Sequence, residues 1–145
     1  MKEKLELLRK KDPVLGQFID VIGVLELTKR NDHYLSLVSS IIGQQLSVKA
    51  ASTIWGRFVK LTNHTITPEK VLEFPEEKLR EIGISRPKIS YMKDLSQKVL
   101  DKEINLDTLE ELGNDEAILT LTAVKGIGKW PAEMFLIFSL GRDNV

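Results

Sequence analysis

A chain of 145 residues that is 42% hydrophobic and 29% charged can bury one real core and is too short for two independent ones. Its 21 basic and 21 acidic side chains cancel, so composition lacks the basic excess by which many DNA-binding proteins announce themselves. With no cysteine, and with two histidines, His33 and His64, far apart and without ligand spacing, these residues exclude a disulfide, a thiol nucleophile and a cysteine-held zinc or iron–sulfur cluster.

The N-terminal MKEKLELLRKKD is charged and amphipathic, without the apolar centre of a signal peptide, and no run of 18 apolar residues occurs. The expectation is a cytoplasmic protein that does not enter a membrane. Leu5 and Leu8, then Leu15, Phe18, Ile19 and Ile22, recur at helical spacings, and Asp12-Pro13 supplies a cap followed by a first-turn proline. Asn31-Asp32 caps a helix whose predicted inner stripe is Leu35, Val38, Ile41 and Ile42. Gly43 to Leu46 interrupts that pattern, and Ser47 caps a further helix, Val48 to Leu61, with Ala51, Ile54, Trp55 and Phe58 on its apolar side.

Thr67-Pro68 starts the next helix, Phe74-Pro75-Glu76-Glu77 a short one that Gly83 ends, and Ser85-Arg86-Pro87-Lys88 another that turns Ile89, Met92, Leu95 and Val99 inward. Asp107 is expected to precede a helix containing Leu109 and Leu112. Asn114 or Asp115 is expected to cap one running into Val124, and Lys129 to Leu140 follows a glycine turn. No segment alternates with period two between hairpin turns, so the predicted fold is all-α.

Charge is uneven along this plan. Arg86 to Lys102 carries Arg86, Lys88, Lys93, Lys98 and Lys102 against Asp94 and Asp101, whereas Glu103 to Glu116 holds six acids and no base. This fits either a basic and an acidic face or ordinary solvated helices.

IGISRPKISYMKDL and VKGIGKWPAEMFLI each place a glycine turn between two helices with basic residues at the start of the second. Free amides at a helix N-terminus, together with glycines that let backbone approach closely, suit a phosphate. Spacing alone favours a plain helix–helix corner, in which glycines are common. Gln44-Gln45 by the same measure fits an exposed helix end, and Trp130 and Met134 fit core.

The stretches SSIIGQQLSVKAASTIWGRF, GISRPKISYMKDLS and LTAVKGIGKWPAEMFLIFSLGRD, in this order and separation, resemble the helix-hairpin-helix DNA glycosylases, and among them the DNA-3-methyladenine glycosylase II group. The resemblance runs from about Asp12 onward. It implies the helical base-excision repair glycosylase fold, incomplete at its C-terminus, with residues 1–145 as one partial domain and the helix-hairpin-helix unit at about 115–140. The partner implied is duplex DNA bearing an alkylated base such as 3-methyladenine.

On that resemblance Lys125, Gly126, Gly128 and Lys129 bind a DNA phosphate. The carbonyls of Thr122, Val124 and Ile127 hold a structural Na+ or K+, and no other cofactor is required. Relatives usually have threonine where Pro131 stands, and proline lacks the amide that threonine offers. Gln44 and Gln45 correspond to the wedge that fills the gap when a base leaves the stack, Gln45 aligning with the wedge residue itself. Trp130 stands where strand-cleaving relatives carry a lysine nucleophile, which implies a monofunctional enzyme. With Met134 one turn on, it would line the base pocket, its indole suited to a cationic methylated purine.

The family's catalytic aspartate falls beyond Val145, and Asp143, Asp12, Asp32 and Glu133 have no motif support for that role. The chain therefore reads as the first two-thirds or so of a glycosylase, inactive alone. Two other readings are a DNA-binding module without chemistry and a helical protein-interaction domain. The apolar run Met134 to Leu140 is expected to be left exposed, relieved by self-association or by residual disorder.

Overall fold

The computed structural model describes residues 2–23 and 29–145, and every regular element in them is a helix. The starts follow local chemistry. Between α1 (Lys2–Lys11) and α2 (Pro13–Ile22), the Asp12 carboxylate accepts the amides of Val14 and Leu15 at 2.9 and 3.1 Å. Asp32 accepts the Leu35 amide at 2.8 Å to open α3 (His33–Gly43), and the Ser47 hydroxyl accepts that of Ala50 at 3.3 Å to open α4 (Val48–Leu61). Thr67 does the same for α5 (Pro68–Glu73) through the Lys70 amide at 3.3 Å. Each cap satisfies one of the donors that a helix start leaves orphaned, and is worth roughly 1 kcal/mol.

Next come α6 (Glu76–Glu81) and α7 (Arg86–Leu100), joined through Gly83 at φ 103°, then α8 (Asn114–Thr122) and α9 (Lys129–Phe138). α3 is the hub, packing on α4, α7 and α9; α5 and α6 lie against α7, and α8 pairs with α9. Val38, Ile41 and Ile42 of α3 are fully buried with Phe58, Ile89, Met92, Leu95, Leu121 and Leu136. Each such side chain contributes about 1.5–3 kcal/mol of burial, which fixes α3 between the two halves of the molecule. A buried hydrogen bond of 2.7 Å between the Tyr34 hydroxyl and Ser96 Oγ pins α3 to α7, and burial raises the Tyr34 phenol well above the ordinary tyrosine range.

Four expectations need correction. No helix forms at Leu109–Leu112; residues 101–113 are turns, with Leu109 buried. The reason is competition for backbone groups: Asn105 Oδ1 accepts the Asp107 amide at 3.0 Å, and the Arg142 guanidinium takes the Leu109 and Leu112 carbonyls at 2.8 Å each. The same guanidinium donates to Asn114 Oδ1 at 2.8 Å. The cap of α8 is Gly113, whose amide donates to Glu116 Oε2 at 3.2 Å, so Asn114 is already helical.

In α3, Leu35 is only partly buried, and Tyr34 and Leu37 take the inner positions beside Val38. Finally, α9 ends at Phe138, and Phe135, Leu136 and Leu140 are buried, leaving Phe138 as the exposed residue of the apolar run. The largest group of exposed apolar side chains lies on the α1–α2 pair, where Leu8, Val14, Leu15, Phe18, Val21 and Ile22 face outward. These helices pack mainly on each other. No described helix is long and apolar enough to cross a membrane.

Candidate nucleic-acid interface

The turn from α8 to α9 is built around two glycines with different duties. Gly126 has φ 77°, and a Cβ there would run into the Tyr91 ring of α7, so only glycine fits. Gly128 is extended and is the N-cap of α9, with no side chain to satisfy the helix start. The first α9 bond in this turn is the Ala132 amide to the Gly128 carbonyl at 3.1 Å. The amides of Lys129 and Trp130 therefore precede the ladder, and Pro131 has none. Among the described residues no acceptor meets the amides of Gly126 or Gly128 either. The result is a cluster of backbone donors at the positive end of a helix dipole, which is the elementary form of an anion site.

Two lysines flank this cluster. Lys125 and Lys129 are largely exposed, the first 4.0 Å from Asp94 and the second 3.6 Å from Glu133. Exposed pairs of this length hold their partners weakly, so both ammonium groups are free to swing to a phosphate. The Lys125 amide is not: it donates to Asp94 Oδ2 at 2.8 Å.

The break after α3 lies beside this turn. Gln44 is the C-cap of α3, and Gln45, at φ 56°, is exposed. Gln44 Nε2 donates to the Gly126 carbonyl at 3.0 Å, joining the two segments singled out in the sequence 82 positions apart. From the other side Lys88 Nζ donates to the Ile42 carbonyl at 2.8 Å. Partial desolvation lowers the Lys88 pKa from the ordinary lysine value.

Lys88, Tyr91 and Asp94 thus lie on one face of α7, each touching one of the two segments. Sequence reasoning gave Tyr91 and Asp94 no role and took Lys88 only as one basic residue among several at the start of α7. Their spacing of three, directly after the first glycine turn, is the signal that could have marked them. The remaining basic stretch is partly neutralised, Arg86 by Glu76 at 3.0 Å and Lys98 by Glu103 at 2.9 Å.

Trp130 is 69% exposed and so lies outside the core that the described residues form, while Met134 is half-buried one turn further along α9. Val124 and Ile127 bury their side chains, and the Val124 carbonyl already accepts the Ile127 amide at 3.2 Å. The Thr122 hydroxyl donates to the Leu119 carbonyl at 3.2 Å. Asp143 is paired with Lys4 at 2.8 Å, and this hydrogen bond lowers its pKa.

A hollow of about 790 Å³ opens between the start of α3 and the turns after α7, lined by His33, Tyr34, Asn105 and Asp107. It includes neither Trp130 nor Met134 and lies at the opposite end of α3 from Gln44. Among the described residues no group of three or more His, Cys, Asp or Glu could hold a metal ion.

A bundle of short helices that presents free amides from a glycine turn, with an exposed aromatic on the following helix, has the architecture of a helix-hairpin-helix protein. Residues 38–142 match the model of the HhH-GPD superfamily base excision DNA repair proteins, and the chain belongs to that family. It is 38% identical over 120 residues to DNA-3-methyladenine glycosylase 1 of Schizosaccharomyces pombe, covering 81% of this chain and 53% of that protein.

Among solved structures it resembles a DNA-3-methyladenine glycosidase from Bacillus halodurans, with TM-score 0.84 and 41% identity over 95% of this chain and 64% of that one. It also resembles the S. pombe 3-methyladenine DNA glycosylase in complex with abasic DNA, with TM-score 0.84 and 34% identity over 98% of this chain and 72% of that one. The chain thus spans between half and three-quarters of the length of these relatives.

Proposed function

We propose that this chain, acting as one domain, is the DNA-gripping and base-receiving part of a monofunctional base-excision glycosylase that hydrolyses the N-glycosidic bond of alkylated bases such as 3-methyladenine in duplex DNA. The observation that carries the reading is the exposed Trp130 on the first turn of α9, directly after the free hairpin amides. The amides of Gly126, Gly128 and Lys129, with the Lys125 and Lys129 side chains, take a backbone phosphate. Gln45 enters the gap left by the extruded nucleotide. The Trp130 face and Met134 receive the base, whose positive charge after methylation strengthens attraction to the indole. Because an indole replaces the lysine amine, no Schiff base forms, and the strand stays intact.

On the same reading the carbonyls of Thr122, Val124 and Ile127 hold a monovalent cation. They are hard, neutral oxygens, and a carbonyl has two lone pairs to offer. Na+ or K+ bound there would offset phosphate charge. The acid that opposes an oxocarbenium-like sugar is expected beyond Val145 in a protein of the relatives' length. A cytoplasmic setting belongs to the same reading, on the ground that duplex DNA is met inside the cell.

A second reading, DNA binding without chemistry by these residues, is favoured by a specific observation. Two of the acids are already hydrogen-bonded elsewhere, Asp94 to the Lys125 amide and Asp143 to Lys4. The test compares this chain with a version extended to the relatives' length, in single-turnover base release from methylated duplex with alkali to reveal abasic sites. The extended protein is expected to release 3-methyladenine without borohydride-trappable adduct, and this chain to bind the duplex in a salt-dependent way with release at least about a hundredfold slower. A trapped adduct overturns the monofunctional assignment, and equal release by the two proteins places the acid within residues 1–145.

A further inference from the structure

The two glutamines after α3 are adjacent in sequence and differently placed. Gln45 is exposed, in left-handed backbone at φ 56°. Gln44 is half-buried, and its side-chain amide is spent on the Gly126 carbonyl at 3.0 Å. We infer that Gln44 is a positioning residue that ties the Gln45 loop to the phosphate-gripping hairpin, so that backbone docking and insertion into the duplex act as one event.

The acceptor it uses is held in place. Gly126 has the Tyr91 ring packed where a side chain would be, and the neighbouring Lys125 amide is anchored by Asp94 Oδ2 at 2.8 Å. The helix end from which the loop leaves is held as well. Lys88 Nζ donates to the Ile42 carbonyl in the last turn of α3 at 2.8 Å, and the Leu46 amide donates to the Gly43 carbonyl at 3.1 Å. Removing the Gln44 bond leaves the end of α3 anchored by Lys88 and frees Gln45 and Leu46.

An inserting side chain on a loose loop must be ordered at the moment of insertion, and that ordering is charged against binding. With the loop fixed beforehand to the element that grips the phosphate, the cost is met during folding. Gln45 then arrives at a set distance from the gripped strand.

The inference rests on the DNA reading above, and its test has one arm that needs no DNA. Gln44→Met keeps length and removes the donor. In the free protein, ¹⁵N relaxation is expected to show fast backbone motion rising at Gln45 and Leu46 in Gln44→Met while the core helices stay as in the unsubstituted chain. In binding, the variant is expected to lose about three- to tenfold in affinity for duplex containing a tetrahydrofuran abasic analogue, the undamaged duplex falling by less, as the loss of one hydrogen bond allows.

Unchanged relaxation at Gln45 overturns the coupling whatever the DNA arm shows. Raised mobility with an unchanged abasic preference, or with equal losses on both duplexes, also overturns it. If the unsubstituted chain shows no salt-dependent duplex binding, the DNA reading falls and this inference with it, while the relaxation arm still reports separately on the loop.

Discussion

Asp94 and Lys125 meet twice: one carboxylate oxygen accepts the Lys125 backbone amide at 2.8 Å, and the other stands 4.0 Å from the Lys125 ammonium. A negative group with a side chain only 17% exposed therefore sits beside a cluster of donors shaped for an anion. It steadies the turn and opposes the ligand. Asp94→Asn keeps an acceptor for the amide and removes the charge. Duplex affinity is expected to rise about two- to fivefold at 50 mM salt, the gain shrinking at 200 mM as added salt shortens the range of the field. Asp94→Ala is expected to lower stability by about 1.5–3 kcal/mol, because a charge-assisted bond is lost. Equal affinity of Asp94→Asn and the unsubstituted chain at low salt would refute the electrostatic part.

Gly126 is fixed by two independent constraints, left-handed backbone and the Tyr91 ring against its α-carbon. Gly126→Ala is expected to cost about 2–4 kcal/mol in chemical denaturation, combining backbone strain with overpacking. In Tyr91→Ala the ring is gone, so the same glycine substitution should cost only the backbone part, about 1–2 kcal/mol. A double-mutant cycle reads the difference directly. Strict additivity of the two substitutions contradicts the ring contact.

Pro131 is the third residue of α9 and brings no amide to the cluster. Pro131→Thr restores one donor, and the expected result is tighter binding of duplex by up to about tenfold, one hydrogen bond to a charged oxygen. The same substitution should lower stability slightly, by about 0.4–1 kcal/mol, since the unfolded chain gains freedom. Affinity and melting temperature thus move in opposite directions, a pattern that a general loosening of the helix does not produce. Isothermal titration and thermal unfolding on one preparation check both.

Asp143 accepts from the Lys4 ammonium, and its pKa lies below the ordinary 3.8 for that reason first. A carboxylate depressed in the folded state adds stability that is complete above its unfolded pKa and disappears as pH falls through the folded value. The contact therefore operates at neutral pH and is lost only in acid below 3.8. Lys4→Gln is expected to return Asp143 to the ordinary range in a carboxyl ¹³C titration and to speed amide exchange in α1 and α2, whose other packing is largely on each other. An unaltered Asp143 titration in Lys4→Gln shows that another group sets the shift.

What the sequence made legible was local. Asp12-Pro13, Asp32, Ser47 and Thr67 cap helices because their side chains reach amides two or three residues away, and nothing distant intervenes. The expected helix at Leu109 failed because Arg142, more than thirty residues later, claims the carbonyls that a helix would use. The outward face of α2 shows the same limit. Periodicity announced a helix at Leu15, Phe18 and Ile22, and a period says nothing about what stands opposite it.

In the candidate site, the glycines, lysines, glutamines and Trp130 carried a motif. Tyr91 and Asp94 read as an ordinary helix face until folding set them against Gly126 and Lys125. The split between Gln44 and Gln45 was likewise invisible, since identical neighbours differ only in backbone direction.

Trp130 offers its backbone amide at the open end of α9 and its ring on the same turn. If both are used, the interval between a held phosphate and a received base is a covalent length, measured within one residue. Such a calliper cannot be reset by swapping core side chains, because no packing surface lies between its jaws. Selectivity among damaged bases must then be tuned around the ring, by neighbours such as Met134, while the reach from strand to ring stays constant.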